Sequence, residues 1–166
     1  MQQYFKISIG IFLALAASRF IPHPPNFTNL VALSFYIPAL LGVRYLPIVL
    51  FSFAITDIFF GFHLTILFTW GSILLIGWFA KFFSLSVFSR FQGILLGVFS
   101  FFLITNFGVW ATGYYGYTIN GLFNSYFMAL PFLLNNLTSS IAYAIIFELA
   151  YKLFIIRSKS RGNFIF

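Results

Sequence analysis

Long apolar runs separated by short polar or proline-rich segments extend along the whole chain. A helix needs about 20 residues to cross the hydrocarbon core of a bilayer, and runs close to that length recur here. The pattern predicts six helices, over residues of about 5–21, 27–41, 45–62, 64–83, 91–110 and 122–156, the last with a break near Pro131. These helices use most of the 166 residues, so we expect one integral membrane domain over 1–166.

The composition supports a membrane protein and excludes several other classes. Hydrophobic residues make up 61% of the chain and charged residues only 7%, whereas a soluble domain carries about 25% charged residues. Such hydrophobicity also excludes intrinsic disorder. The absence of cysteine excludes disulfides and thiolate metal sites. A net charge of +7 raises the question of a nucleic-acid or lipid partner.

The distribution of the basic residues answers that question. With six spanning helices both termini lie on one side, and if that side is the cytoplasm, Arg19 is the single basic residue on the outside. The positive-inside rule therefore supports cytoplasmic termini, and predicts the bilayer rather than nucleic acid as the partner. The basic residues on or near the inside are Lys6, Arg44, Lys81, Arg90, Lys152, Arg157, Lys159 and Arg161.

The N-terminal run has an alternative interpretation as a signal peptide. Lys6 precedes an apolar stretch, and Ala14-Leu15-Ala16 has the form of a cleavage site. Arg19 and the Pro-rich turn follow at once, which favours a retained first helix.

Uncharged polar and aromatic side chains concentrate at the predicted outer ends of the helices. In transporters, substrate sites form where irregular backbone lines a cavity. We therefore predict an outward-facing pocket for a small-molecule solute. Its candidate substrate-binding residues are Arg19, His23, Asn26, Asp57, His63, Asn106, Trp110 and Asn135.

Asp57 is the most informative of these candidates, because an acid inside a membrane helix usually faces the bundle interior or a cavity. Arg19 is its natural partner. The pair either ties the first and third helices together or also orients a ligand, and the sequence leaves both open. The second acid, Glu148, is predicted to pair with Lys152 on the same helix or with Arg44.

Small residues spaced by four occur on two helices and allow close helix packing in lipid. Gly93 and Gly97 lie on the fifth helix. Gly10, Ala14 and Ser18 lie on the first helix and are candidates for docking a partner protein. Packing inside the bundle is the alternative for both stripes.

Motifs of familiar enzymes are absent from the sequence. There is no Gly-rich loop ending in Lys-Ser/Thr, no G-x-S-x-G and no H-E-x-x-H. His23, His63 and Asp57 supply at most three metal ligands. We expect a protein that is not an enzyme and that has no cofactor and no metal. A membrane enzyme would require Asp57 and His63 within hydrogen-bond reach.

Several sequence segments resemble those of a family of small bacterial membrane proteins with a domain of unknown function. That family is similar to the substrate-binding S components of energy-coupling factor (ECF) transporters. The resemblance covers nearly the whole chain. It rests on Arg19–Thr28, on Asp57-x-x-x-Gly61-x-His63, on Thr105–Trp110, and on Gly121-Leu122-x-x-x-Tyr126 leading to Leu130-Pro131-Phe132 and Asn135.

The resemblance implies an S-component-like bundle in the bacterial cytoplasmic (inner) membrane that captures a vitamin or cofactor precursor from outside. It further implies a separate transmembrane coupling protein with cytosolic ATPases, which docks through small residues such as Gly10, Ala14 and Ser18. Members tend to carry an acid after Asn135, where this chain has Thr138-Ser139-Ser140. The alternative is a non-transporting scaffold of the cell-shape or envelope type, which a closed, apolar outer end would favour.

Overall fold

The computed structural model describes residues 2–160, with side chains up to residue 157. The described part is helical and contains no strand. Seven α-helices are present: α1 (Gln2–Phe20), α2 (Leu30–Leu41), α3 (Leu46–Phe60), α4 (Ile66–Phe79), α5 (Val87–Ala111), α6 (Ile119–Phe127) and α7 (Leu130–Ser160). Short 3-10 turns cover Val43–Tyr45 and Ala80–Phe83.

Four helical segments of the described chain are long and apolar enough to cross a membrane, which is consistent with a membrane protein. They are Val43–Phe60, Ile66–Phe83, Val87–Ala111 and Leu130–Arg157. The predicted count of six crossings is not confirmed. α1 has sufficient length, but polar residues at both its ends lower its hydropathy. α2 is apolar but has 12 residues, so it is about 18 Å long, well short of the roughly 30 Å core.

α2 lies at the centre of the bundle. Eight of its 12 residues are buried, and it packs against α3, α4, α5 and α7. Val31 and Phe35 join one apolar cluster with residues of α4 and α5, and Leu33 joins a second cluster with α1 and α3. A helix that is apolar on all sides is suited to this position, since it has no polar face to direct to water.

Helix boundaries differ from the sequence prediction where local capping decides them. α5 begins four residues earlier than expected because Ser86 Oγ accepts a hydrogen bond (3.0 Å) from the backbone N–H of Ser89. The predicted break near Pro131 is confirmed, and it falls at Met128–Ala129. Pro131 then occupies the first turn of α7, where its missing N–H costs no helical hydrogen bond.

The glycines of α5 pack inside the bundle, as one of the two interpretations predicted. Gly93 lies against the Phe35 ring of α2, and Gly97 faces Ile76 of α4. Both glycines are buried. A side chain at position 93 would hold the two helices apart, so the fold requires glycine there.

Gly93→Ala should lower the free energy of unfolding by about 1–3 kcal/mol, the usual effect of overpacking. The added methyl group would overlap the Phe35 ring. Gly71→Ala on α4 is the matched control, since nothing lies near that position and alanine favours helix. Reversible unfolding in mixed detergent micelles measures both. Equal stability of the two variants would contradict close packing of α5 on α2.

Candidate functional site

The predicted pair between Arg19 and Asp57 forms, and Asp57 is its buried member. The Asp57 side chain is 2% exposed and the Arg19 side chain 16%. Arg19 Nη1 donates to Asp57 Oδ1 at 2.6 Å, and Trp70 Nε1 donates to Oδ2 at 3.0 Å. Because both carboxylate oxygens have donors, the buried charge is compensated. Helices α1, α3 and α4 are joined at this point.

Arg19 is also held by α3 residues around Asp57. Its Nη1 donates to Thr56 Oγ1 and, at 3.4 Å, to the Phe53 carbonyl. The guanidinium lies over the rings of Phe53 and Phe60, 4.4 and 4.8 Å from their centroids, in cation–π geometry. Within the described residues all its hydrogen bonds use Nη1, so the N–H groups of Nε and Nη2 remain able to donate to a bound molecule.

Arg19 contributes to the wall of a cavity of about 350 Å³. The cavity lies at the end of the bundle where α1 and α5 finish and α2, α4 and α7 begin; we call this the cavity end. Its wall combines hydroxyls, amides, one histidine and several aromatic rings. The lining residues are Arg19, Asn26, Thr28, Leu30, Phe53, His63, Thr65, Thr69, Phe101, Thr105, Asn106, Val109, Tyr115, Ser125, Met128, Ala129 and Phe132.

A recess of about 40 Å³ adjoins the cavity. It shares Asn26, Thr105 and Asn106 with the larger space and reaches the buried Asn136 of α7. The Asn136 Oδ1 accepts a hydrogen bond from Ser140 at 3.2 Å. The recess has room for a single small polar group or a water molecule.

Four of the eight predicted binding residues line the cavity, namely Arg19, Asn26, His63 and Asn106. Asp57 does not line it, and acts from behind Arg19.

The other three predicted residues also lie away from the wall and hold nearby backbone. Asn135 Nδ2 donates to the Pro25 carbonyl (3.0 Å), and Trp110 Nε1 donates to the Thr118 carbonyl (3.1 Å). His23 Nδ1 lies 2.7 Å from the carbonyl oxygen of its neighbour Pro24.

Several lining residues were not among the predicted binding residues. Thr65, Thr69, Thr105 and Ser125 bring hydroxyls to the wall, and the aromatic rings come from helix positions that are apolar in sequence. The one sequence feature that could have identified these threonines and the serine is a hydroxyl side chain near a helix end. Threonine and serine also bond to their own helix backbone, as Thr105 Oγ1 does to the Phe101 carbonyl (2.8 Å), so residue type alone does not identify them.

α6 borders the cavity as a short amphipathic helix. Ser125 lies on its buried face, while Ile119, Phe123 and Phe127 are exposed on the opposite face. On the same helix the Tyr126 hydroxyl donates to the Leu103 carbonyl of α5 at 2.9 Å. Burial raises the pKa of the Tyr126 phenol, which favours the protonated, hydrogen-donating form of the hydroxyl. This contact fixes α6 beside the cavity.

The small-residue stripe of α1 divides between two environments. Gly10 is exposed and nothing lies near it. Ser18 is buried and donates to Asn29 Oδ1 at 2.6 Å, while Asn29 Nδ2 donates to the Ala14 carbonyl at 2.8 Å. Ser18 and Ala14 therefore join α1 to the start of α2, and only Gly10 remains on an open surface.

The predicted partner of Glu148 is wrong. Neither Lys152 nor Arg44 is its partner, since the carboxylate pairs with Arg90 of α5 in a two-bond contact: Nε to Oε1 at 2.6 Å and Nη2 to Oε2 at 2.8 Å. Arg90 Nη1 also donates to the Ser84 carbonyl at 2.8 Å. This pair lies at the end of the bundle opposite the cavity. It joins α5 to α7.

The described residues provide no obvious catalytic constellation. No hydrogen bond joins Asp57 to His63, whose Nε2 instead lies 3.4 Å from Thr69 Oγ1. Across residues 2–157 no group of three His, Asp or Glu side chains is placed to hold a metal ion. What the arrangement offers is a set of hydrogen-bonding groups and aromatic rings around one compensated cation.

The described residues form a helical protein with four segments long and apolar enough to cross a membrane and with a partly open polar cavity at one end. Its sequence assigns it to a family. The family model described as Family of unknown function (DUF6580) matches residues 1–161, and the chain belongs to that family. No curated protein and no solved structure matches the chain.

Proposed function

We propose that this protein is the substrate-binding membrane subunit of an uptake system for a small, vitamin-like or cofactor-precursor solute. The observation that carries the proposal is the cavity of about 350 Å³ around Arg19. Small-molecule sites are typically 300–1,000 Å³, mostly apolar, with a few convergent polar groups. The cavity is therefore suited to a molecule of modest size with a flat ring and several hydrogen-bonding atoms.

The distribution of charge supports a cavity that faces away from the cytoplasm. The described basic residues other than Arg19 lie at the opposite end of the bundle, at the start of α1 and α5, in the turns after α2 and α4, and near the end of α7. Arg161 lies outside the described residues, as does the side chain of Lys159. By the positive-inside rule the end that carries these charges is cytoplasmic. Six crossings with cytoplasmic termini follow if α1 and α2 both traverse the bilayer.

An uptake system of this kind needs an energy source that the chain does not supply. The sequence has no phosphate-binding loop, so we propose a separate transmembrane coupling protein with cytosolic ATPases, as in the S-component resemblance. The exposed surface of α1 around Gly10 is the part of the predicted docking stripe that is open to such a partner.

A non-transporting scaffold is the competing proposal. A scaffold has no need of a polar space between its helices, and a closed apolar end would have favoured it. Thr28, Thr65, Asn106 and Arg19 instead place polar groups on a shared wall. The cavity therefore favours solute binding.

The test begins with protein purified from cells grown in rich medium. A bound solute should co-purify and be identified by mass spectrometry of the released small molecules. Added back to stripped protein, the same solute should raise the melting temperature, because a ligand that binds only the folded state stabilises it. Absence of a co-purifying solute, with unchanged stability across a vitamin panel, would refute the proposal.

Asn106→Leu should weaken binding of the co-purified solute about tenfold, the effect of losing one hydrogen bond to the ligand. Leucine keeps the branched shape and the number of heavy atoms of the side chain but removes the amide from the cavity wall. Asn124→Leu is the matched control, since Asn124 is exposed on α6 and does not line the cavity. Titration of both variants by calorimetry gives the comparison. Equal affinities would place the solute elsewhere.

A further inference from the structure

The charge balance of the cavity indicates the chemical class of its ligand. Arg19 is the one permanently charged side chain on the cavity wall within the described residues. Asp57, almost fully buried behind it, neutralises that charge at 2.6 Å. A molecule bound in the cavity therefore contacts a guanidinium whose positive charge is already balanced by Asp57.

The cavity wall has both hydrogen-bond donors and hydrogen-bond acceptors that are not used within the protein. Arg19 retains N–H donors at Nε and Nη2, because its hydrogen bonds to other described residues all use Nη1. Asn106 donates one of its two Nδ2 N–H groups to the Phe102 carbonyl at 2.7 Å and keeps Oδ1 as an acceptor. An amide-type group presents the complementary pair, since its carbonyl accepts and its N–H donates.

Aromatic rings provide a surface for the rest of the ligand. Phe53, Phe101 and Phe132 line the cavity from three different helices. Flat rings favour a planar partner through stacked or edge-to-face contact.

On the basis of the proposed function, we infer that the cavity takes a small, planar, uncharged molecule carrying an amide-type carbonyl and N–H, and discriminates against carboxylates. A carboxylate ligand would share one guanidinium with Asp57, and two anions on one cation leave a net negative charge beside a buried carboxylate. A neutral amide accepts from the same N–H groups without adding charge. Asp57 is thus a positioning residue that sets the charge preference through Arg19.

Two matched probe pairs test the inference: benzamide with benzoate, and nicotinamide with nicotinate. Binding to the purified full-length protein is measured by calorimetry at neutral pH, where both acids are ionised. The amide of each pair should bind at least about tenfold more tightly. Asp57→Asn should reverse the preference, since the Arg19 charge then lacks a countercharge. Equal affinity, or preference for the carboxylates in the unmodified protein, overturns the inference.

Two further variants separate charge selection from damage to the fold. Glu148→Gln makes the same carboxylate-to-amide change at the opposite end and should keep the preference for amides. Arg19→Lys keeps the charge beside Asp57 but replaces the separate N–H groups of the fork with one ammonium, and should weaken amide binding about tenfold. Unchanged amide affinity in Arg19→Lys would contradict recognition by Arg19, even where Asp57→Asn fails to fold.

The inference and the proposed function fail in distinguishable ways. A co-purified solute that is anionic would overturn the uncharged class while leaving solute binding intact. No co-purified solute, together with no binding of any of the four probes, would overturn both. A neutral, amide-bearing solute would support both.

Discussion

Glu148→Ala should lower the free energy of unfolding by about 3–5 kcal/mol, the effect of removing one partner from a buried ion pair. The Arg90 side chain is 7% exposed, and the Glu148 carboxylate accepts from both Nε and Nη2. After truncation, the carbonyl of Ser84 would be the remaining oxygen acceptor for that guanidinium among the described residues. Unfolding in mixed detergent micelles measures the loss.

Two control variants identify the source of the Glu148 effect. Lys152→Ala removes the exposed cation one turn later on the same helix, and should change stability by less than about 0.5 kcal/mol. Arg90→Met combined with Glu148→Leu removes both charges and should recover most of the stability, as apolar replacement of a buried pair commonly does. If Lys152→Ala destabilised the protein as much as Glu148→Ala, the Arg90 pairing would be disproved.

Asp57→Ala should destabilise the bundle by a smaller amount, about 3 kcal/mol, at the lower end of the same range. The Asp57 side chain is only 2% exposed, but the Arg19 side chain is 16% exposed and lines a cavity that admits water. Solvation of the remaining cation therefore offsets part of the loss. The variant also leaves the Trp70 indole N–H without its acceptor, which adds to the cost.

The same measurements separate the two interpretations of the Arg19–Asp57 pair. Asp57→Asn keeps an acceptor for Trp70 or Arg19 and should retain most of the stability, while it alters ligand preference. Arg19→Met with Asp57→Leu should restore stability and abolish amide binding. If Asp57→Asn unfolded the protein and the double variant still bound the probes, the pair would serve only to tie α1 to α3.

The Arg19–Asp57 pair was predictable because charge is scarce at that end of the molecule. With one base and one acid among the predicted outer residues, mutual pairing was the favourable arrangement in a low-dielectric setting. Glu148 had several cations at its own end of the chain, and sequence distance favoured Lys152. In the structure Glu148 pairs with Arg90, because α5 and α7 pack together and place the Arg90 guanidinium where two of its nitrogens donate to the carboxylate.

The cavity was predictable in location but not in outline. Polar residues at the predicted outer helix ends indicated where it would lie, and Arg19, Asn26, His63 and Asn106 line it. Trp110 and Asn135 are also polar residues at predicted outer helix ends, but their side chains donate hydrogen bonds to neighbouring backbone carbonyls instead. The rotation of each helix and the path of each loop decide whether an amide faces the cavity or bonds to a loop. Residue type alone gives no information about either.

The sequence by itself determined the helical class, the presence of helices long and apolar enough to cross a membrane, and the separation of basic from neutral-polar ends. Each follows from the spacing and number of apolar and charged residues. Tertiary structure decided that the short α2 occupies the centre, that Ser18 faces inward to Asn29, and that Glu148 meets Arg90. The physical reason is that hydrophobicity and formal charge are properties of individual residues, whereas burial and contact partners depend on how whole helices rotate and pack against one another.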